Sequence, residues 1–251
     1  MCTLVILRRP EHEWPVIIGA NRDEMIDRPA LPPGRHWPDR EEVVAGMDLL
    51  AGGTWLGVND WGLAAAVLNR HGSLGPDINL RSRGELVLEA LDHADAVAAA
   101  AALVELDPGA YRSFNLILAD NREAFWLKHA DPSGTQPLEL REIKPGLAMI
   151  AAGDLDDETP RLKHYRPLFA AAPPPDPDRG DWSAWERLLL DQGPGADDDL
   201  APAMRFLTER GFGTVSSAII ALPSPERGDQ SAKFRFAAHH PRAEAWHDIV
   251  A

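Results

Sequence analysis

The single cysteine of the chain, Cys2, directly follows the first methionine. If that methionine is removed, one residue carries both a thiol and a free α-amine, which can act as a nucleophile and its base. An α-amine has an ordinary pKa of about 7.7–8.0, so it can accept a thiol proton near neutral pH. Cys2 is also a small apolar residue at the start of a predicted strand, so a buried core thiol is the alternative interpretation.

A second group of reactive side chains follows the second predicted strand, at residues 16–20. The polar run Asn21, Arg22, Asp23 and Glu24 comes directly after it. A strand end is a position from which a rigid sheet can present polar groups to a site. A solvated strand end without chemical function is the alternative for this run.

The elements that must position these groups alternate between strands and helices. The two segments at 3–7 and 16–20 predict a hairpin, and a proline-rich stretch at 28–39 predicts an ordered loop. Ser82 with Glu85 predicts a capping box that opens a helical region to residue 106, interrupted at 92–95. Further strands are expected at 52–59, 63–68, 114–119, 123–129, 138–143, 147–152, 213–222, 233–239 and 246–250, and further helices at 159–172, 182–191 and 200–210. This order favours a layered α+β sandwich in one domain over 1–251.

Composition and charge exclude several classes of protein. The formal net charge of -14 opposes binding to nucleic acid or anionic lipid and weakly opposes strongly anionic ligands. One cysteine leaves no intrachain disulfide and no multi-cysteine zinc site, so we expect no structural metal and a reducing, cytoplasmic location. No segment has the roughly 20 apolar residues needed to span a bilayer, so membrane insertion is not expected. The aspartate run at 197–199 is most simply a helix cap. Oligomeric state cannot be read from the sequence.

A set of short motifs in fixed order resembles the NRDE family, also called the transport and Golgi organisation protein 2 family. Besides Cys2, the motifs are Asn21-Arg22-Asp23-Glu24, Gly52-Gly53-Thr54-Trp55-Leu56-Gly57-Val58, Ser82-Arg83-Gly84, Phe114-Asn115-Leu116 and Phe212-Gly213-Thr214. The resemblance extends from residue 2 to about residue 222. That family is in turn distantly similar to N-terminal nucleophile hydrolases of the choloylglycine hydrolase and penicillin V acylase group, which implies a four-layer αββα sandwich.

The distant resemblance also implies roles for individual residues. Cys2 would be the nucleophile, Asp23 would orient its α-amine, and Asn69 would donate its side-chain amide to an oxyanion. Arg22 would place a positive charge near the thiolate, or would instead pair with Glu24 on the surface. For Asn69, a turn residue that caps its own backbone is the alternative.

This chain departs from the hydrolase pattern at two positions. The arginine of that group falls at Ala20 here, and Arg22 comes two residues later, on the same face of a strand. The catalytic asparagine of a middle strand has no counterpart. The best match is Ala151-Ala152-Gly153-Asp154, in which the backbone N–H of Gly153 could serve instead. Asn21 and Trp55 are the remaining expected substrate contacts.

Two functions from different classes follow from the resemblance. The first is an N-terminal cysteine hydrolase or acyltransferase acting on a linear amide or thioester of a small molecule, with no required cofactor. The second is a carrier of haem or of an acyl or lipid ligand on the same scaffold, with Cys2 as a haem ligand. Fold alone does not choose between them, and a purely structural role is the third alternative.

Overall fold

The computed structural model describes residues 2–75, 77–193, 203–228, 230–240 and 245–250. In chain order the strands are β1 (Thr3–Arg8), β2 (Val16–Met25), β3 (Ala30–Gly34), β4 (Val43–Asp48), β5 (Leu56–Asn59), β6 (Ala64–Asn69), β7 (Phe114–Ala119), β8 (Ala124–His129), β9 (Glu139–Glu142), β10 (Gly146–Ile150), β11 (Phe212–Leu222), β12 (Lys233–Ala238) and β13 (His247–Ile249). The helices are α1 (Arg83–Leu91), α2 (Ala96–Leu103), α3 (Pro160–Ala171) and α4 (Ser183–Leu189).

These strands form two antiparallel sheets. One has the order β10-β1-β2-β11-β12-β13, and the other has the order β3-β4-β5-β6-β7-β8-β9. The first hairpin pairs Leu4 with Ala20, and β11 then continues along the other side of β2 for nearly its whole length. Cys2 therefore directly precedes β1, a strand that lies between β10 and β2 in the interior of its sheet.

Three apolar layers hold four layers of structure together. One layer lies between the two sheets, where alternate residues of β1 and β2 such as Leu4, Ile6 and Ile18 meet the other sheet. Helices α1 and α2 cover the outer face of the seven-stranded sheet. Helices α3 and α4 cover the outer face of the six-stranded sheet. This αββα arrangement confirms the predicted fold class.

The helix pair α1 and α2 begins at side-chain caps. Ser82 accepts a hydrogen bond from the Gly84 backbone N–H at 3.2 Å, and Asp95 accepts one from Ala98 at 2.7 Å. The Glu85 side chain does not complete the predicted capping box, because it pairs with Arg81 at 2.9 Å.

The structure corrects three predictions about elements. Strand β2 does not end at Ala20 but runs on to Met25, because β11 pairs with it across the polar run. The proline-rich stretch contains β3, and β4 beside it was not predicted; the two form the edge of their sheet. No helix is present over 203–210, the described part of the helix predicted at 200–210. The aspartate run at 197–199 lies outside the described residues.

No helix in the described part of the chain is long and apolar enough to cross a membrane.

Candidate functional site

A cleft of about 460 Å³ opens where the ends of β2 and β6 meet the start of α1. Cys2 lies on its floor, and the cleft lining also includes Arg22, Asp23, Trp55 and Asn69. A narrow apolar pocket of about 20 Å³ continues from the thiol between the two sheets, with room for about one water molecule. The fold therefore brings the predicted residues Arg22, Trp55 and Asn69 to one opening beside the cysteine, together with the backbone of Asp23.

The thiol of Cys2 is held against the backbone of β2. Its Sγ accepts a hydrogen bond from the Asp23 N–H at 3.4 Å and lies 3.7 Å from the Asp23 carbonyl oxygen. Burial and then the Asp23 charge raise the pKa of Cys2, whereas the Arg22 charge acts to lower it. The thiol is thus enclosed and mostly protonated at neutral pH, with a cation next to it.

Arg22 projects from β2 towards the other sheet, as its alternation with Ala20 predicts. Its guanidinium lies 3.9 Å from the centre of the Trp55 ring, and Nη2 lies 3.4 Å from the Asp48 carboxylate. Glu24 pairs with Arg28 instead. Burial lowers the pKa of Arg22, and the Asp48 and Cys2 charges oppose that shift. This geometry favours the interpretation in which Arg22 supplies charge beside the thiolate.

Asp23 projects to the opposite face of β2, towards α3. Its Oδ1 accepts a hydrogen bond from the Thr214 hydroxyl at 2.8 Å, and its Oδ2 lies 3.2 Å from Nη1 of Arg161. Arg161 also donates to the Thr3 hydroxyl at 2.9 Å. The carboxylate is fully buried in this network, so its position at the start of β1 is fixed.

Asn69 and Trp55 line the cleft on the side of the second sheet. Asn69 is the last residue of β6, and its side-chain amide has no hydrogen-bond partner among the described residues. Trp55 fits against Gly46, where an added Cβ would lie only 2.4 Å from the indole ring. Trp55 is therefore fixed between β4 and Arg22, while the Asn69 amide is available to a ligand.

The side chain of Asn21 forms its hydrogen bonds with other residues of the protein. Its amide donates to the Leu189 and Met204 carbonyl oxygens at 2.8 and 2.9 Å, and its oxygen accepts from Ser217 at 2.6 Å. Ser217 also lies 2.8 Å from the His239 ring, whose pKa is lowered to about 4 by burial and by the Arg205 charge. The geometry favours a structural role, and substrate binding by Asn21 stays a prediction.

Gly153 lies behind the cleft, outside the residues that line it. Its carbonyl oxygen accepts hydrogen bonds from Arg70 and from Asn115, both at 2.9 Å. The Asn115 amide also donates to the Ala151 carbonyl at 3.1 Å. These bonds fix the segment after β10 beside β6, and an oxyanion contact from the Gly153 N–H stays a prediction.

Four supporting residues escaped the sequence reasoning. Arg161 and Thr214 hold Asp23 from far along the chain, and Asp48 binds Arg22 and Arg28 from an unpredicted strand. Arg83 lines the cleft at the start of α1. Thr214 and Arg83 did lie in quoted motifs, which was the available signal, whereas Arg161 and Asp48 had none.

The arrangement could support thiol chemistry. A thiol, a neighbouring cation, a buried carboxylate and an available amide are groups that acyl transfer can use. Within the described ranges, no group of three or more histidine, cysteine, aspartate or glutamate side chains is placed to hold a metal ion.

Comparison with known structures identifies the scaffold. A Caenorhabditis elegans N-acylethanolamine-hydrolysing acid amidase orthologue superimposes with a TM-score of 0.57 at 13% identity, covering 92% of this chain and 98% of that one. Penicillin V acylase from Agrobacterium tumefaciens also gives a TM-score of 0.57, at 15% identity, covering 99% of this chain and 86% of that one. These likenesses show the N-terminal nucleophile hydrolase fold.

Comparison of sequences identifies the family. The Bos taurus and Homo sapiens Transport and Golgi organization protein 2 homologues are 36% and 34% identical to this chain over 115 residues, which is 44% of its length. Those matches span 40% of the length of the curated relatives. The family model Transport and Golgi organisation 2 matches residues 1–179. The chain belongs to the Transport and Golgi organisation 2 family.

Proposed function

We propose that this protein is an N-terminal cysteine hydrolase or acyltransferase that acts on a linear amide or thioester of a small molecule. The observation that carries the proposal is the convergence of Cys2, Arg22 and Asn69 on one cleft, with Asp23 fixed directly behind the cysteine. The fold shared with amide hydrolases supports the same chemistry.

In the proposed reaction, removal of the first methionine gives Cys2 a free α-amine that takes the thiol proton. The sulfur attacks the substrate carbonyl carbon, and the Asn69 amide stabilises the resulting oxyanion. When the intermediate collapses, the C–N or C–S bond breaks and the leaving amine or thiol takes the proton from the α-amine. Water then cleaves the thioester to Cys2, which releases the acid and restores the thiol; another acceptor in place of water gives acyl transfer.

Asp23 and Arg22 have separate tasks in this scheme. The Asp23 carboxylate, held by Thr214 and Arg161, orients and stabilises the protonated amine. The Arg22 charge favours the thiolate, which the enclosed position of Cys2 otherwise disfavours.

Release of free fatty acid from N-octanoylethanolamine and from an octanoyl thioester tests the function. We expect turnover by the protein that lacks its first methionine and none by Cys2→Ala. Asn69→Ala should lower kcat by roughly 10²–10³, the usual effect of losing one oxyanion donor. Turnover that survives in Cys2→Ala would contradict the proposal.

A carrier function is the second candidate, because exposed apolar side chains lie at or next to the lining of the cleft. Leu74, 48% exposed, lines it, and Leu50 and Ile78, 67% and 99% exposed, directly adjoin the lining residues Ala51 and Asp77 in sequence. Such a rim suits an acyl or lipid ligand. Haem fits the residues less well: no histidine of the described chain lines the cleft, and burial raises the pKa of the Cys2 thiol, which opposes a thiolate ligand.

A further inference from the structure

The cleft is rich in arginine although the protein is strongly acidic. Five arginines line it, against four carboxylates. Three of the five are paired with carboxylates: Arg22 with Asp48, Arg28 with Asp48 and Glu24, and Arg81 with Glu85 and Glu89. The other two are Arg83 and Arg112, so their charges decide whether the cleft prefers anionic ligands.

Arg83 has no carboxylate within 4.0 Å in the described part of the chain. Its Nη1 is fixed by the Ser73 carbonyl, the Ser73 hydroxyl and the Ser113 carbonyl at 2.8, 2.9 and 3.0 Å. Its Nε and Nη2 have no hydrogen-bond partner among the described residues. That edge of the guanidinium is the geometry that binds a carboxylate or phosphate through two parallel hydrogen bonds.

Arg112 is the second weakly neutralised cation. It donates to the Leu74 carbonyl oxygen, and its carboxylate partner Asp77 lies at the 4.0 Å limit of an ion pair. Burial and then the Arg112 charge lower the pKa of Arg83 to about 10. Two cations that repel each other in a half-enclosed cleft favour an anion between them.

Arg83 and the thiol belong to the same cleft. The charges of Cys2 and Glu24 both act on the Arg83 guanidinium, and both residues line the cleft with it. On the other side of the thiol the lining is apolar, with Ala20, Leu56 and Ala66. Because the narrow pocket on that side has room for only about one water molecule, a bound substrate would lie in the cleft itself, where its leaving part can reach the arginines.

We propose that Arg83 and Arg112 form an anion-binding subsite that receives a carboxylate or phosphate on the leaving part of the substrate. This inference rests on the proposed function for the identity of the leaving part. It revises, at this site, the expectation from net charge that anionic ligands are disfavoured, because Arg83 and Arg112 face the cleft with little or no neutralisation by carboxylates. The substrate class is then an acyl amide or thioester whose leaving part carries an oxyanion.

The test measures binding without chemistry, using the Cys2→Ala protein and isothermal titration. The probes are N-octanoylethanolamine, its phosphate monoester and N-octanoylglycine, which present a neutral group, a phosphate and a carboxylate. We expect one or both anionic probes to bind at least about tenfold more tightly than the neutral one, the effect of one charge-assisted pair. Which of the two binds more tightly distinguishes phosphate from carboxylate.

Variants assign the preference to these two arginines. Arg83→Gln should abolish the preference for the anionic probes. Arg112→Gln, at a less buried position, should reduce that preference several-fold. If Arg83→Gln does not fold, the result with Arg112→Gln decides the outcome. Arg179→Gln removes an equal charge from a side chain that is 85% exposed and should leave the preference unchanged.

Equal affinity for the three probes, no binding of any probe, or a preference that survives in both cleft variants would overturn the subsite. The proposed function fails on a different result. If the anion preference is preserved but the protein with its native Cys2 shows no turnover, the hydrolase function is rejected and the anion-binding subsite stands.

Discussion

At the residue scale, the environment of Cys2 combines opposing influences. Enclosure and the Asp23 charge raise the pKa of the thiol, and the Arg22 charge lowers it. In the proposed mechanism the protonated α-amine would add a second favourable charge after processing. The thiolate fraction of Cys2, and with it the reactivity of the thiol, therefore depends on which neighbouring charges are present.

Two substitutions on β2 should change thiol reactivity in opposite directions. Asp23→Asn removes a negative charge and should speed alkylation of Cys2 by iodoacetamide at neutral pH, while Arg22→Met should slow it. A shift of half to one pKa unit in either direction corresponds to roughly three- to tenfold in thiolate fraction. Changes of the same sign in the two variants would contradict this electrostatic account.

Asp23→Asn should also lower the stability of the protein, so its free energy of unfolding must be measured together with the reactivity of Cys2. The substitution removes the Asp23 side of the buried ion pair with Arg161, and breaking such a pair typically costs about 3–5 kcal/mol. Chemical denaturation of both variants shows whether the alkylation rates compare folded proteins.

The pH dependence of labelling follows from the direction of the Cys2 shift. Because its pKa lies above the ordinary thiol value, the thiolate fraction is small at neutral pH and grows as pH increases. The alkylation rate should still be rising past about pH 8.5, the ordinary thiol pKa. A plateau reached below pH 8 would show a depressed pKa and contradict the account.

Motif resemblance singled out Cys2, Arg22, Asp23 and Asn69, because it fixes residue types at known positions. The structure places these four residues around one cleft, and their catalytic roles stay predictions. Arg161 could not be foreseen, since it reaches Asp23 across 138 residues and its helix position carries no local signal.

At the element scale, three elements meet to build the cleft. Strand β2 supplies Arg22 and Asp23 on opposite faces, β6 supplies Asn69, and the start of α1 supplies Arg83. Sequence periodicity predicted α1 and β6 well. It placed the end of β2 too early, because a polar run inside a central strand has no apolar alternation to reveal it.

The close approach of α1 to the loop before β5 depends on glycine. The Thr54 N–H donates to the Gly84 carbonyl at 3.1 Å, and a Cβ on Gly53 would lie 2.5 Å from the Gly84 carbonyl carbon. This contact sets the distance between the arginine side of the cleft and Trp55.

Gly53→Ala should therefore destabilise the protein by roughly 1–3 kcal/mol, the usual cost of overpacking. Gly34→Ala is the control, since its Cβ would lie 3.3 Å from the side chain of His36 near the surface, which can move. Urea denaturation compares the two, and equal stability would show that α1 tolerates displacement.

At the scale of the whole molecule, the apolar layer between the sheets holds the cleft together. The floor of the cleft is the end of that layer, since Cys2 and Ala20 pack against it. Stability and site geometry are thus linked through the sheet packing. The layered order of strands and helices was visible in the sequence, but the pairing of β11 with β2 was not, because it joins segments about 200 residues apart.

Removal of volume from that layer gives a matched test. Ile220 is fully buried between the sheets, and Ile78 is 99% exposed. Ile220→Ala should cost about 2–5 kcal/mol in the free energy of unfolding, and Ile78→Ala should cost almost nothing. Similar losses in both variants would contradict the inter-sheet core.

The most direct test of the central claim is the intact mass of the purified protein before and after exposure to an octanoyl thioester, with Cys2→Ser as the control. We predict a protein without its first methionine that gains one octanoyl group on Cys2, and no such adduct on the control. A retained methionine, or a Cys2 that stays unmodified while the protein is folded, would contradict the N-terminal nucleophile account.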